Sequence, residues 1–449
     1  MKQVLSVKEL WAVGLMTFAL FLGAGNIIFP PTLGHDAGPA MWTAILGFLI
    51  TGVGLPLLGV AAVASAGGNV RLMGNRVNPV FSVIFSVLTY LAIGPLLAIP
   101  RTSAVAYEIG VAPFLPEGVR GSTTSLLIYS IVFFGIAFWL CLHPGKLVDR
   151  FGKILTPIMI VLLAVLLIRG AISPLGDGGY STATLENPFS KGFLEGYNTM
   201  DTLAALVFGI VIANTVRELG ITNKNMQAKI IIKSGVIAVT GLGLLYVGLT
   251  YLGATSGHVV GPYENGGQLI TLMAKELLGQ GGLILLSFAV TFACLTTGVG
   301  LITSCAEFFS NLTNNRLSYR LVLSILVLFS VVITNFGLST ILKISVPLLV
   351  TLYPIAIVLI ILTLTNTLFQ GRRPVYVGGV IGAAVLSILD GLSAAGITFP
   401  AVTNALIQLP LMSGLLSQGL GWIMPAIIGI IIGGIVASFT SAPNKTVTE

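Results

Sequence analysis

The chain has 449 residues, and its 22 Lys+Arg and 15 Asp+Glu leave only 8% of its side chains charged, against about 25% in an ordinary soluble domain. The AVILMFWYC class supplies 55%, and 54 glycines add further small, non-polar surface, so a water-soluble globular fold and a disordered chain are both excluded. At roughly 20 residues per bilayer crossing, this length holds about twelve spanning helices and no sizeable soluble domain. The formal charge of +7 then reads as orientation at a lipid surface rather than as affinity for nucleic acid.

Taken in chain order, apolar runs long enough to cross lie at 8–33, 40–66, 77–100, 122–142, 149–172, 190–217, 228–253, 281–310, 319–336, 338–366, 374–393 and 419–440. The first run superficially resembles a secretory leader, with Lys2 and Lys8 ahead of an apolar stretch. It resumes at once as Ile27-Ile28-Phe29, and is read as span one. Residues 264–279 carry Glu264, Lys275 and Glu276 on an amphipathic pattern and read as an interfacial helix rather than a crossing. Residues 402–416 look similar but lack charge. Cys141, Cys294 and Cys305 fall inside apolar runs, without the spacing of a disulfide framework or a zinc site, and read as buried packing. His35, His143 and His258 are too scattered to hold a metal.

Lys and Arg orient the bundle. With the N-terminus inside, Lys2, Lys8, Arg71, Arg76, Lys146, Arg150, Lys153, Arg217, Lys224, Lys229, Lys233, Arg316, Arg320, Arg372, Arg373 and Lys445 are cytoplasmic, which is 16 of the 22. The positive-inside rule therefore places both termini in the cytoplasm of a multi-pass inner-membrane protein. Trp11, Trp42, Trp139 and Trp422 fall near span ends, where an amphipathic ring prefers to sit.

Two spans are interrupted. Span one carries Gly23-Ala24-Gly25-Asn26 near mid-depth, and span six carries Asn198-Thr199-Met200-Asp201 between apolar segments. Irregular backbone at membrane depth is tolerated only where protein or a polar cavity satisfies it. Broken helices in corresponding positions are expected of two inverted five-helix repeats meeting at a central site, here about 8–172 and 190–366 with extra helices at about 374–440, all in one transporter domain. Unwinding frees N–H groups that attract a carboxylate and C=O groups that attract a cation or an ammonium, a pairing suited to a zwitterion. Asp201 is an intramembrane acid and defaults to a functional role. Phe208, with Leu203 and Val207, either lines an apolar pocket for a branched side chain or packs in the core, the commoner fate of such a stripe.

The stretch Met16-Thr17-Phe18-Ala19-Leu20-Phe21-Leu22-Gly23-Ala24-Gly25-Asn26-Ile27-Ile28-Phe29-Pro30-Pro31 resembles the signature of the bacterial branched-chain amino acid carrier family, the BrnQ or LIVCS carriers. So do Ile93-Gly94-Pro95-Leu96 with Pro100-Arg101-Thr102, Pro144-Gly145-Lys146-Leu147, Gly196-Tyr197-Asn198-Thr199-Met200-Asp201-Thr202-Leu203, Phe208-Gly209-Ile210-Val211-Ile212 and Cys305-Ala306-Glu307-Phe308-Phe309. The resemblance implies an all-α carrier of the amino acid, polyamine and organocation superfamily. It would have about twelve helices, the inverted-repeat fold of the sodium-coupled leucine transporters, and broken helices 1 and 6. It also implies cation-driven uptake of leucine, isoleucine and valine, with Na+ as coupling ion, or H+, and no organic cofactor. By the same likeness, Gly23, Ala24, Gly25 and Asn26 offer main-chain donors to the substrate carboxylate. Ala19 and Leu22, with Ala293, Thr296 and Thr297 in span eight, match the spacing of a sodium site. An all-oxygen cage of that kind suits sodium, although a threonine in a membrane helix can equally bond back to the carbonyl one turn earlier.

Lys343, a turn or two into span ten, reads as snorkelling outward, and Glu307 either pairs with Arg316 or Arg320 or belongs to an inner gate. Gly429-Ile430-Ile431-Ile432-Gly433 is a small-residue motif that could form a dimer face, with a monomer the default expectation. A channel is the alternative class, as is a carrier of another small neutral amino acid, but no ring of like charges or repeated filter is present. An enzyme is disfavoured, since neither H-E-x-x-H nor G-x-S-x-G occurs.

Overall fold

A computed structural model describes residues 5–142, 154–175, 180–181, 184–257, 262–408 and 412–439. Lys2, Lys146, Arg150, Lys153, Lys445, His143, His258, the 144–147 stretch and the start of predicted span five lie outside them, as does the Lys224 side chain. Among the described residues the regular structure is helical. The α-helices are α1 (Val7–Phe21), α2 (Ala24–Ala37), α3 (Met41–Leu49), α4 (Leu55–Ser65), α5 (Val70–Asn75), α6 (Pro79–Leu91), α7 (Ala98–Gly110), α8 (Thr123–Cys141), α9 (Thr156–Ile172) and α10 (Pro188–Asn198). They continue as α11 (Asp201–Glu218), α12 (Lys224–Ala254), α13 (Gly266–Leu312), α14 (Tyr319–Thr334), α15 (Leu338–Leu364), α16 (Arg373–Ala394), α17 (Pro400–Ile407), α18 (Met412–Ser417) and α19 (Ile423–Phe439).

Every one of the twelve predicted runs coincides with a helix or a helix pair. Among the described residues eight helical stretches are apolar and at least 18 residues long, and α9, α14 and α19 are shorter apolar helices. One of the eight, Ala24–Ser65, has 42 residues, about twice what one crossing needs; it turns at Gly38, whose φ of 48° suits a residue without a Cβ. Polar residues at the ends supply the missing partners of the first-turn N–H groups. Ser6 and Glu9 form a capping box on α1, and Asn78, Ser122, Asn223, Asn265 and Ser318 cap later helices.

Residues 266–278 do not cross. Gly279, at φ 58° and ψ −143°, separates them from the spanning part of α13. They pack on the protein, burying Leu269, Ile270, Met273 and Leu277, and Gly266 sits against the Ile28 carbonyl of α2. Of residues 402–416, 402–407 fall on the short helix α17 and 412–416 on α18, while 409–411 lie outside the described residues.

Several expectations are corrected. Span three does not end at Pro100: after an irregular turn at Gly94 (φ −89°, ψ −125°), α7 runs on to Gly110. Hydropathy closes the run at Arg101, yet Arg101, Thr102, Ser103 and Tyr107 are all buried in protein rather than placed in water. The Gly429/Gly433 motif is used inside the chain, where it packs α19 on α16. A Cβ on Gly429 would lie 2.1 Å from the Gly378 oxygen, and one on Gly433 would lie 2.3 Å from the Pro374 oxygen. Trp11, Trp42 and Trp139 are exposed as interfacial anchors should be, but Trp422 is buried in the core. The three cysteines are buried and free, as expected, and Lys343 is exposed.

Helix α2 is pressed against α12 with no room for side chains between them. A Cβ on Gly34 would lie 1.9 Å from the Thr250 oxygen, and one on Gly253 1.9 Å from the Pro31 oxygen. Gly253→Val should therefore lower stability by about 1–3 kcal/mol through overpacking, read as a fall in thermal midpoint in detergent. Gly135→Ala on α8, where a Cβ meets nothing within 4 Å, should leave the midpoint unchanged or slightly raised.

Candidate functional site

Three helix interruptions converge on one place. Between α1 and α2 the backbone leaves the helix at Leu22 (φ −70°, ψ 85°) and Gly23 (φ −115°, ψ −162°). Between α10 and α11 it turns at Met200, in the left-handed region at φ 67°, a conformation that costs a non-glycine residue about 1–3 kcal/mol and persists only where the surroundings impose it. The third interruption, at Gly94 to Leu97 between α6 and α7, was not expected from the sequence.

The first two breaks are joined by a buried polar cluster. The Gly23 N–H donates to Asn26 Oδ1 at 2.9 Å, and Asn26 Nδ2 donates to Asp201 Oδ1 and Oδ2 at 2.9 and 2.8 Å. Tyr246 of α12 donates its hydroxyl to Asp201 Oδ2 at 2.6 Å and also meets Asn26 Nδ2. The orientation of the Asn26 amide follows from its partners: reversed, its oxygen would face a carboxylate and its NH2 would face an N–H. Asp201 itself begins α11, and its main-chain N–H meets Thr199 Oγ1 at 3.3 Å. Asn26, Thr199, Asp201 and Tyr246 are all buried, so each lost partner would leave a group with no water to replace it.

Arg101 holds the other side. Its guanidinium donates from Nη1 to the Asn198 oxygen at 2.7 Å and from Nη2 to the Thr199 oxygen at 3.3 Å. It also lies over the Phe29 ring, 5.6 Å from the centroid. The carbonyls freed at the end of α10, which the sequence suggests for a ligand cation, are thus occupied by a cation of the protein itself. Gly25 leaves space for this, since a Cβ there would stand 2.8 Å from Arg101 Nη2 and 3.1 Å from the Asn198 oxygen.

Between the breaks lies a small cavity of about 20 Å³, room for about one water molecule. Leu20, Phe21, Ile93, Ala204 and Leu301 give it apolar walls, and Gly23, Asn26, Arg101, Thr199, Asp201 and Thr297 give it polar ones. Of the residues predicted from sequence, Gly23, Ala24, Asn26, Thr199 and Asp201 line it, and Gly25 adjoins it through Arg101. Asn198 contributes its carbonyl only, because its side chain donates to Glu195 Oε2 at 2.8 Å. Phe208 packs edge-on against Phe21, centroids 5.6 Å apart, one layer behind the wall.

The oxygen-rich set next to the cavity also comes together. Thr296 Oγ1 meets the Ala19 oxygen at 3.1 Å and the Ala293 oxygen at 3.0 Å, and Thr297 Oγ1 meets the Ala19 oxygen at 3.2 Å. The back-bond along its own helix is therefore present for Thr296, while Thr297 reaches across to α1. Leu22 stands at the break itself. Glu307 accepts from Asn214 Nδ2 at 3.4 Å rather than pairing with Arg316 or Arg320, and shares a second cavity with Arg217 and Glu218. Among the described residues no group of three or more His, Cys, Asp or Glu could hold a metal ion.

Two site residues escaped the sequence reading. Arg101 is one of only six basic residues that the charge count leaves off the predicted cytoplasmic side, and its place beside a predicted span end concealed its depth. Tyr246 sits in an uninterrupted apolar run, and nothing local distinguishes it from core.

The family described as "Branched-chain amino acid transport protein" matches residues 6–440. The branched-chain amino acid permease BraB of Bacillus subtilis strain 168 is 47% identical over 451 residues, covering 100% of both chains. Among solved structures, Mhp1, a nucleobase-cation-symport-1 family transporter in a closed conformation with bromovinylhydantoin bound, superimposes with a TM-score of 0.57 at 15% identity, covering 92% of this chain and 96% of Mhp1. MhsT in complex with L-phenylalanine gives a TM-score of 0.57 at 14% identity, covering 98% and 99%. The fold is that of the sodium-coupled leucine transporter type.

Asn26→Leu removes both donors to Asp201 from this amide and the acceptor of the Gly23 N–H. It should cost about 1.5–3 kcal/mol, seen as a lower thermal midpoint of the purified protein. Asn198→Ala, whose side chain meets only Glu195, should change the midpoint by no more than about 0.5 kcal/mol equivalent.

Proposed function

Because this chain belongs to the branched-chain amino acid transport protein family, we propose that it is a cation-coupled symporter that carries leucine, isoleucine and valine into the cell by alternating access. The activity of such a protein is transport and not catalysis. The observation that carries the reading is the joining of the two breaks by Asn26 and Asp201 beside a small cavity lined by both apolar and polar groups. An aliphatic side chain suits the walls formed by Phe21, Ile93, Ala204 and Leu301. The carboxylate faces the first turn of α2, whose N–H groups lack intrahelical partners and carry the positive end of the helix dipole.

Sodium is the coupling ion favoured here, with the proton as the alternative that the assay must separate. Two hydroxyls and the Ala19 and Ala293 carbonyls approach one another without a carboxylate among them, and Na+ takes neutral oxygen donors readily. Its position between α1 and α13 would let ion binding fix the span-one break, and so couple the ion to the amino acid. Two five-helix repeats, about 8–172 and 190–366, rock about this fixed centre, in an inner membrane with both termini cytoplasmic.

Purified protein in proteoliposomes should accumulate leucine saturably when a sodium gradient is imposed, with sodium, lithium and pH varied independently. Non-saturating flux without accumulation would indicate a channel, and accumulation driven by pH alone would replace sodium by the proton. Gly25→Leu should abolish uptake while leaving the protein in the membrane, and Thr297→Ala should weaken the sodium dependence. Normal uptake by the first removes the α2 carboxylate site, and unchanged sodium dependence in the second removes the ion site.

A further inference from the structure

Arg101 is more than a staple for the break in span six. Its two Nη atoms are used on the Asn198 and Thr199 carbonyls, but its Nε is buried with no hydrogen-bond partner, in a side chain only 3% exposed that lines the cavity. An unpartnered donor on a buried cation is costly, and a native protein keeps one where something else completes it. The irregular turn at Gly94 to Leu97 is what starts α7 at the depth that delivers this side chain to the cavity. The guanidinium also lies beside the first turn of α2, since the missing Cβ of Gly25 is 2.8 Å from Nη2. The first turn of α2 and the guanidinium therefore adjoin one another beside the same cavity.

Resting on the carrier reading above, we propose that Arg101 is the fixed countercharge for the substrate carboxylate, which docks on its unused Nε edge, and that the substrate ammonium is bound by Asp201 rather than by the carbonyls of span six. A planar guanidinium presents parallel donors that match a carboxylate, and such charge-assisted pairs are the strong ones. The ammonium is excluded from the Asn198 and Thr199 oxygens because a cation already holds them. Asp201 has acceptor capacity left: Oδ1 receives one donor and Oδ2 two, from Asn26 and Tyr246, against about four lone-pair sites on an ionised carboxylate. Arg101 and Asp201 both line one small cavity, a plus and a minus fixed in the protein as the complement of a zwitterion. The assignment makes the α-carboxylate an obligatory recognition element.

The test is equilibrium binding of radiolabelled leucine to the purified full-length protein, competed by leucinamide, which keeps the ammonium and the side chain but lacks the carboxylate. Leucinamide should bind the native protein on the order of 30-fold or more weaker than leucine. Arg101→Gln should weaken leucine by a similar factor while leaving leucinamide within about threefold, so that the ratio between the two ligands collapses. A merely structural Arg101 would lower both affinities together and preserve the ratio, which overturns the proposal. Should Arg101→Gln fail to fold, as judged by size-exclusion profile, Arg101→Lys keeps the charge without the fork. It should weaken leucine on the order of tenfold and spare leucinamide, and an unchanged leucine affinity overturns the proposal. Equal affinity of the native protein for leucine and leucinamide does the same without any variant. Absence of saturable leucine binding to the native protein would instead overturn the carrier reading itself, together with the assignment built on it.

Discussion

The contact on which the structure depends is the bond between the Asn26 amide and the Asp201 carboxylate. It joins two helix breaks separated by 175 positions in the chain, and both of its partners are buried. Each break alone would expose main-chain groups that a bilayer interior cannot satisfy. Brought together, they are bridged through side chains, with Tyr246 also bonding Asp201 and Arg101 bonding the freed carbonyls of the second break. The irregular backbone is stable because it is shared, and the cavity exists because the sharing is incomplete.

The charges in this centre are few and fixed in place. A buried guanidinium sits on the carbonyl end of one half-helix, and a buried carboxylate begins the next. Neither forms a direct ion pair with the other among the described residues; the only such pair found there is Lys191 with Glu195, 2.7 Å apart. Two opposite charges in one enclosed space, each bonded to neutral dipoles rather than to the other, remain able to attract a dipolar ligand. Paired directly, they would present it with a neutral surface. The geometry therefore favours binding over maximal internal stability, a compromise expected at functional sites.

The same helical framework supports carriers of unlike cargo, so the fold does not name the substrate. What differs is which side chains reach the centre. Here the apolar part of the lining is aliphatic or phenyl, and the polar part is a few buried side chains and the broken backbone. That division is what a short zwitterion with a hydrocarbon side chain requires.

Composition, spacing and charge distribution alone determined that the protein is a helical membrane bundle, where its crossings lie, and that spans one and six are interrupted. These are properties of local sequence: hydropathy over about 20 residues measures lipid compatibility directly, and Gly23-Ala24-Gly25-Asn26 or Asn198 to Asp201 stand out against an apolar background. Tertiary structure alone decided which polar groups meet. Arg101 closes a run by hydropathy yet ends up buried, because protein carbonyls from another helix replace water around it. Tyr246 is silent in its own segment and acquires a role only opposite Asp201, while the Gly429/Gly433 motif finds its partner in α16 of the same chain. Long-range pairing leaves no periodic trace in one sequence, since the energy of a buried polar contact depends on a partner that the local chain does not contain.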